Sequence, residues 1–177
     1  MINIGLDELG RGDVRLLLDE HLADMYATSP VESVHALDHT ALAAPNITFW
    51  TAREHSVLLG CGALKELSPT WGELKSMRTA PSARGRGVAA LMLAHIVRHA
   101  RACRMTRISL ETGAEDYFAA ARRLYHRAGF VECPPFAGYS IDPNSVYLTL
   151  LLNAEVAQQR PWESSETSVA QPRTATG

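Results

Sequence analysis

Three cysteines in 177 residues, Cys61, Cys103 and Cys133, form no CxxC pair and no metal-ligand rhythm. That removes disulfide scaffolds and zinc ribbons from consideration. They read as free thiols of a reducing compartment, packed as small apolar groups. Cys103, toward the end of a helix, also carries a sharper reading as a thiol nucleophile. There is no basic excess either: 17 Lys and Arg stand against 19 Asp and Glu, a formal net charge of −2. A general nucleic-acid binder would carry the opposite sign. No apolar run approaches the ~20 residues of a membrane span. The N-terminal MINIGLDELGRGD has early acids and no long apolar core, so it is not a signal peptide. These absences point to a cytoplasmic protein with no membrane or nucleic-acid partner. Missing too are a GxSxG nucleophile motif and any His, Cys, Asp and Glu cluster at metal spacing. No metal is expected.

What is present suits one folded domain, with 46% apolar and 20% charged residues. A short strand near Ile2–Leu6 precedes a helix over VRLLLDEHLADMY, with Asp13 as its N-cap. Residues 28–46 read as a second, shorter helix and a loop. ITFWTAR and SVLLGCGALKEL then alternate as two antiparallel strands around Glu54 and His55, and WGELKSMRT makes a third. Gly60 and Gly62 inside the second of these predict a bulge or a close backbone neighbour. Helical spacing returns from Val88 to Cys103, followed by the strand TRISLET. EDYFAAARRLYHRAGF is a helix whose Ala121, Leu124 and Ala128 point one way, with Gly129 just past its end. FVEC and SVYLTLLL are two last, paired strands, and the final one is expected to close the sheet, covered on both sides. A strand–helix–strand unit around Gly87 requires a parallel pair after an antiparallel meander. The expected architecture is α/β: a mixed sheet with helices on both faces, in a domain over residues 1–152. Residues 153–177, polar apart from Trp162, read as a disordered tail.

The stretch RTAPSARGRGVAALMLA, residues 78–94, places two glycines between arginines just before a helix. Amides at a helix start attract anions, and glycine lets the anion come close. A P-loop would need Lys and then Ser or Thr after the last glycine; Val88 and Ala89 stand there instead. Gly85 to Ala90 does match the GxGxxA dinucleotide fingerprint, with Glu111 near the offset of a ribose-binding acid. That fingerprint belongs to the first strand–helix unit of an alternating chain, not to a loop after a meander. A nucleotide binder stays open as an alternative.

A third reading accounts for more residues. The spacing Arg84-x-x-Gly87-x-Ala89 between strand and helix resembles the R/Q-x-x-G-x-G/A motif of the GCN5-related N-acetyltransferases. PSARGRGVA is similar to that family's P-x-x-RG-x-G-[IVL]-[GA], LET to its LEV strand, and ARRLYHRAGF to its A-x-x-LYE-x-x-GF segment. These matches run in the family's order over about residues 45–150. The resemblance implies the family's splayed mixed sheet, with acetyl-CoA as cosubstrate. It places the cofactor pyrophosphate on Arg84, Gly85, Arg86, Gly87, Val88, Ala89 and Ala90, and the pantetheine arm along Met77, Arg78 and Thr79. A backbone N–H near Thr79 would meet the carbonyl oxygen. A homodimer, common in the family, is compatible with it.

Acetyl transfer requires a neutral amine, a donor for the carbonyl oxygen and a proton for the departing thiolate. By the resemblance, Tyr125 is the acid that protonates the thiolate and Glu111 the base; Glu73, from its place on the neighbouring strand, is the second candidate for the base. His35 and His39 are candidates for the acceptor side. Two departures from the family pattern concern this region: Phe118 stands where many members have an asparagine, and the segment after Glu111 is two residues longer. The function implied is acetylation of a primary amine on a small molecule or protein. The rival class is an acyl-CoA-binding module of the same fold without turnover.

Overall fold

The computed structural model describes residues 1–152; the expected tail, with Trp162, lies outside the described residues. The described residues form seven strands, the central ones buried on both faces: β1 (Ile2–Leu6), β2 (Ile47–Glu54), β3 (Val57–Ser68), β4 (Trp71–Thr79), β5 (Arg107–Gly113), β6 (Val131–Glu132) and β7 (Ser145–Leu151). Four helices join them: α1 (Gly12–Thr28), α2 (His39–Leu42), α3 (Val88–Ala102) and α4 (Ala119–Arg127). The strands form one sheet in the order β1-β2-β3-β4-β5-β7-β6. Only β4 and β5 pair in parallel, as the α3 crossover requires.

That parallel pairing is short. Trp71, Gly72 and Glu73 face Arg107, Ile108 and Ser109, and beyond them the two strands part. The joined end is pinned by side chains: Trp71 Nε1 donates to Ser109 Oγ at 3.0 Å, and the Arg107 guanidinium lies 3.7 Å over the Trp71 ring. Toward its open end β4 is kinked. Ser76 has a φ of 51°, and the β3–β4 register shifts between Cys61 and Ala63. The expected close neighbour of the β3 glycines is therefore β4 itself. A Cβ on Gly60 would stand 2.6 Å from the Arg78 carbonyl oxygen, and one on Gly62 would stand 2.7 Å from the Met77 sulfur.

Helices cover both faces. On one, Arg53 of β2 reaches Asp13 of α1; on the other, Trp50 stacks edge-on against His95 and His99 of α3. Ile96, Met92, Ile108, Leu110, Leu148 and Phe130 are fully buried in the core. Each contributes roughly 1.5–3 kcal/mol of transfer free energy.

Several local expectations are corrected. Asp13 does not cap α1, whose N-cap is Arg11 without a side-chain bond. The Asp13 carboxylate instead takes a two-pronged contact from Arg53 at 2.6 and 3.1 Å, a stronger bond than a cap offers. The helix foreseen in 28–46 is the single turn α2, capped by Asp38 and tied through His39 to Asp19 of α1 at 2.9 Å. Ala128 is exposed because α4 ends before it, and Tyr125 takes the buried position. β7 does not close the sheet: it inserts between β5 and β6, and β6 is the edge. Leu151 at its end is 61% exposed, so cover there is one-sided. Cys61 is buried and Cys133 half-buried, but Cys103 is exposed at the end of α3, 3.5 Å from His99 Nε2.

Candidate functional site

The segment between β4 and α3 turns at Pro81–Ala83 and then runs through Arg84 into two left-handed glycines. Gly85 has φ 77° and Gly87, the N-cap of α3, has φ 76°. A Cβ on either would meet nothing within 4 Å, so open space lies over this backbone. No side chain caps α3, and among the described residues the amides of Val88, Ala89 and Ala90 find no backbone acceptor. Unpaired donors and the positive end of the helix dipole thus face one place.

That place is a cleft of about 490 Å³. It is bounded by the glycine loop, by Met77, Arg78 and Thr79 of β4, and by α4 from Ala120 to Arg127. Among the described residues, the β4 edge facing β5 has no strand partner beyond Glu73. The backbone of residues 77–79 borders the gap. Gly85, Gly87, Val88, Ala89 and Ala90 all line the cleft, and so does Arg84. Arg86 does not. It donates to Glu54 Oε2 at 2.6 Å, beside the N-terminal ammonium on Oε1 at 3.0 Å. Those two bonds, the ammonium's first, pull the Glu54 pKa down to about 2. The residues present fit an anionic pyrophosphate: unpaired amides, a close-approach backbone and, besides the tied Arg78, the cations Arg84 and Arg127.

Arg78 points its side chain elsewhere. It bonds Asp24 of α1 at 2.5 Å and the Tyr117 hydroxyl at 3.1 Å, and that hydroxyl donates to Asp24 at 2.8 Å. The two bonds, Tyr117's first, hold the Asp24 carboxyl below its ordinary value. α1, β4 and the turn before α4 are thereby tied at the cleft wall. The backbone amide of Ala80, next to Thr79, is spent on the Leu59 carbonyl at 2.9 Å.

An inner pocket of about 90 Å³ adjoins the cleft, with His21, Met77, Phe118, Ala121 and Tyr125 lining both. Tyr125 is 6% exposed. Its phenol is pushed above its ordinary value by burial and then by Glu111. It is therefore neutral, a proton donor by default. Glu111 lines the inner pocket and accepts a bond from Ser145 Oγ at 2.7 Å. Burial raises its pKa, against the lowering effects of Ser145, His35 and Lys75. A carboxylate in this state takes up a proton more readily than a solvated one. Glu73 is 3% exposed and lines neither space; it accepts from the Tyr139 hydroxyl at 2.5 Å and faces Lys75 Nζ at 3.3 Å. His35 lines the inner pocket, its ring edge-on to Tyr139, whereas His39 stays on α2. Phe118 fills the wall between the two spaces, and Gly113 leaves room for its ring.

The sequence reasoning missed His21, Lys75, Tyr117, Tyr139 and Ser145. For His21 a signal existed: with Asp24 and Met25 it forms an i, i+3, i+4 set on one face of α1. The others meet their partners only across long sequence separations. Among the described residues no group of three or more His, Cys, Asp or Glu could hold a metal ion, and no helix is long and apolar enough to cross a membrane.

Residues 14–130 match the model of the Acetyltransferase (GNAT) family. The chain is 49% identical over 148 residues to YsnE of Bacillus subtilis (strain 168), named an uncharacterized N-acetyltransferase, a match covering 84% of this chain and 98% of YsnE. It is 47% identical over 152 residues to YedL of Escherichia coli (strain K12), which bears the same description, covering 86% and 96%. Its fold is that of a solved GNAT family acetyltransferase from Elizabethkingia anophelis with acetyl-CoA bound: TM-score 0.58 at 18% identity, over 85% of this chain and 97% of that one.

Proposed function

We propose that this chain, which belongs to the GNAT family of acetyltransferases, moves the acetyl group of acetyl-CoA directly to a primary amine of a small molecule or protein. One observation carries the reading. Tyr125 stands in the wall between a cleft bordered by unpaired helix-start amides and an inner pocket holding Glu111. Acetyl-CoA supplies an activated thioester and a thiolate leaving group.

The protein's own groups do the rest. The amides of Gly85 and of Gly87 to Ala90, with Arg84, bind and neutralise the pyrophosphate. The free β4 edge at Met77, Arg78 and Thr79 bonds the pantetheine arm as an added strand would. Glu111 draws the acceptor ammonium into the inner pocket and takes a proton from it. Tyr125 returns a proton to the departing sulfur. Direct transfer suits a site in which the serine lining the inner pocket, Ser76, makes no hydrogen bond to a base among the described residues.

The non-catalytic acyl-CoA-binding module is the second reading, favoured by the buried Phe118 where the family pattern has a polar pantetheine contact. The two separate when the protein is mixed with acetyl-CoA and a panel of alkylamines, amino acids, polyamines and lysine peptides. The proposal expects free thiol to appear with at least one amine. Calorimetric binding of acetyl-CoA with no thiol from any of them would support the binding module.

A further inference from the structure

Among the five residues that line both the cleft and the inner pocket, two have polar side chains: Tyr125 of α4 and His21 of α1. Tyr125 has its task in the proposed reaction. His21 has none, and no hydrogen bond to a described residue occupies its ring. Its surroundings come from every element at the junction. Arg78 of β4 stands beside it, Asp24 lies one turn on along α1, and Tyr117 closes the triangle from the turn before α4. Arg84 and, from α4, Arg127 line the cleft, while Lys75, His35 and Glu111 line the inner pocket. Arg78 is fixed by its two bonds, so it supplies a stationary positive charge and does not swing onto the imidazole.

We propose that His21 is a second proton-handling residue of the acetyl transfer, placed to accept the proton that the attacking amine nitrogen gives up. This rests on the acetyl-transfer reading above. Glu111 is the less suited of the two groups at the moment of bond formation, because it lines only the inner pocket and one of its oxygens is engaged by Ser145. Its charge serves to draw in the ammonium and release the first proton to water. His21 borders the point of passage between acceptor and donor spaces. Burial, and secondly Arg78, bring its pKa down to about 4, so the ring is neutral with a lone pair free at neutral pH. Asp24 opposes that effect and would favour the transient imidazolium.

The step balances. The amine lone pair forms the C–N bond at the thioester carbon, and the C–S bond breaks with its electron pair on sulfur. His21 takes one proton from nitrogen, and Tyr125 gives one to sulfur. Imidazolium and phenolate are then reset by exchange with water, so the net change is one proton moved from nitrogen to sulfur.

The test uses the full chain with the amine that releases most thiol in the panel. His21→Gln keeps a polar side chain that cannot take up a proton, and His21→Ala leaves a space for free imidazole. Both variants should lose about 10²-fold in kcat, the usual range for a positioned acid–base group. Acetyl-CoA affinity should stay within about twofold. Added imidazole should restore part of the rate of His21→Ala and none of that of His21→Gln or Tyr125→Phe. Wild-type kcat and pH profile in the His21 variants would overturn the inference while leaving acetyl transfer intact. So would a loss that imidazole never rescues and that tracks weaker acetyl-CoA binding, because that marks His21 as wall and not as base. If the wild-type protein itself releases no thiol with any amine, the acetyl-transfer reading falls, and the role of His21 with it.

Discussion

Replacing Gly87 by alanine separates the two jobs of the glycine loop. In the free protein the added methyl meets nothing within 4 Å, so no clash arises, but the backbone stands at φ 76°. An L-residue held in that region costs about 1–2 kcal/mol. For a chain of this length each kcal/mol moves Tm by roughly 2–4 °C, so a fall of about 2–8 °C is expected. Binding should suffer more. The methyl would occupy the space over the α3 amides that a pyrophosphate oxygen needs, at the cost of at least one charge-assisted bond. Such a bond is worth about 1.5–3 kcal/mol, which is roughly 10- to 150-fold in Kd. Scanning calorimetry reads the first effect and titration with acetyl-CoA the second. Gly12→Ala is the control: Gly12 also has open space around a Cβ, it sits at the start of α1 and it does not line the cleft. A folded Gly87→Ala protein with the expected drop in Tm and wild-type affinity would refute the assignment of this loop to the pyrophosphate.

Tyr125→Phe keeps the buried ring and removes its proton, so acetyl-CoA affinity should hold while kcat falls about 10²-fold; steady-state kinetics beside calorimetry check both. Glu111→Gln bears on stability as well as rate. The Glu111 pKa is raised above its ordinary 4.5 in the folded protein, so the folded state binds the proton more tightly and stability falls as pH rises from 4.5 through the raised value. The variant should therefore melt higher than wild type at pH 7 and lose that advantage at pH 4, in paired melting curves. Arg84→Ala should weaken acetyl-CoA several-fold in a salt-sensitive way, whereas Arg86→Ala, whose side chain is held by Glu54 outside the cleft, should leave Kd within about twofold. Titrations at two salt concentrations distinguish them.

The parts of this molecule written in local pattern were legible in advance. The period-2 runs around His55, the helix-period run from Val88 and the glycines before it fixed three antiparallel strands, a crossover and an open helix start. Gly60 and Gly62 announced a bulge or a close neighbour, and the structure supplies it from β4 and from Val88, Met92 and Ile96 of α3. What local pattern cannot carry is the choice of partner by a polar side chain. Asp13 looked like a cap but had Arg53 within reach, 40 residues away. Glu73 and Glu111 looked alike as strand carboxylates. Tyr139, 66 residues from Glu73, takes one of them out of the pocket, and Ser145 leaves the other in it. For His21 the spacing with Asp24 and Met25 marks a shared face of α1, but not that β4 and α4 will meet beside that face.

The three-residue seam between β4 and β5 has a consequence for how the chain assembles. Strands β2, β3 and β4 pair as hairpins, which close at small entropic cost, while β1 reaches β2 from beyond α1 and α2. The strands β5, β7 and β6 make a second set with its own ladder. The two sets share only those three parallel positions in the sheet, and these come together only after the whole of α3 has folded back. The joint spans fewer residues than the β1–β2 pairing does within its own set, but with three shared positions it is where local opening costs least. A cosubstrate lying in the gap would bridge both sets. Amide exchange at Met77, Thr79 and Leu110 should slow on its binding far more than exchange within either half.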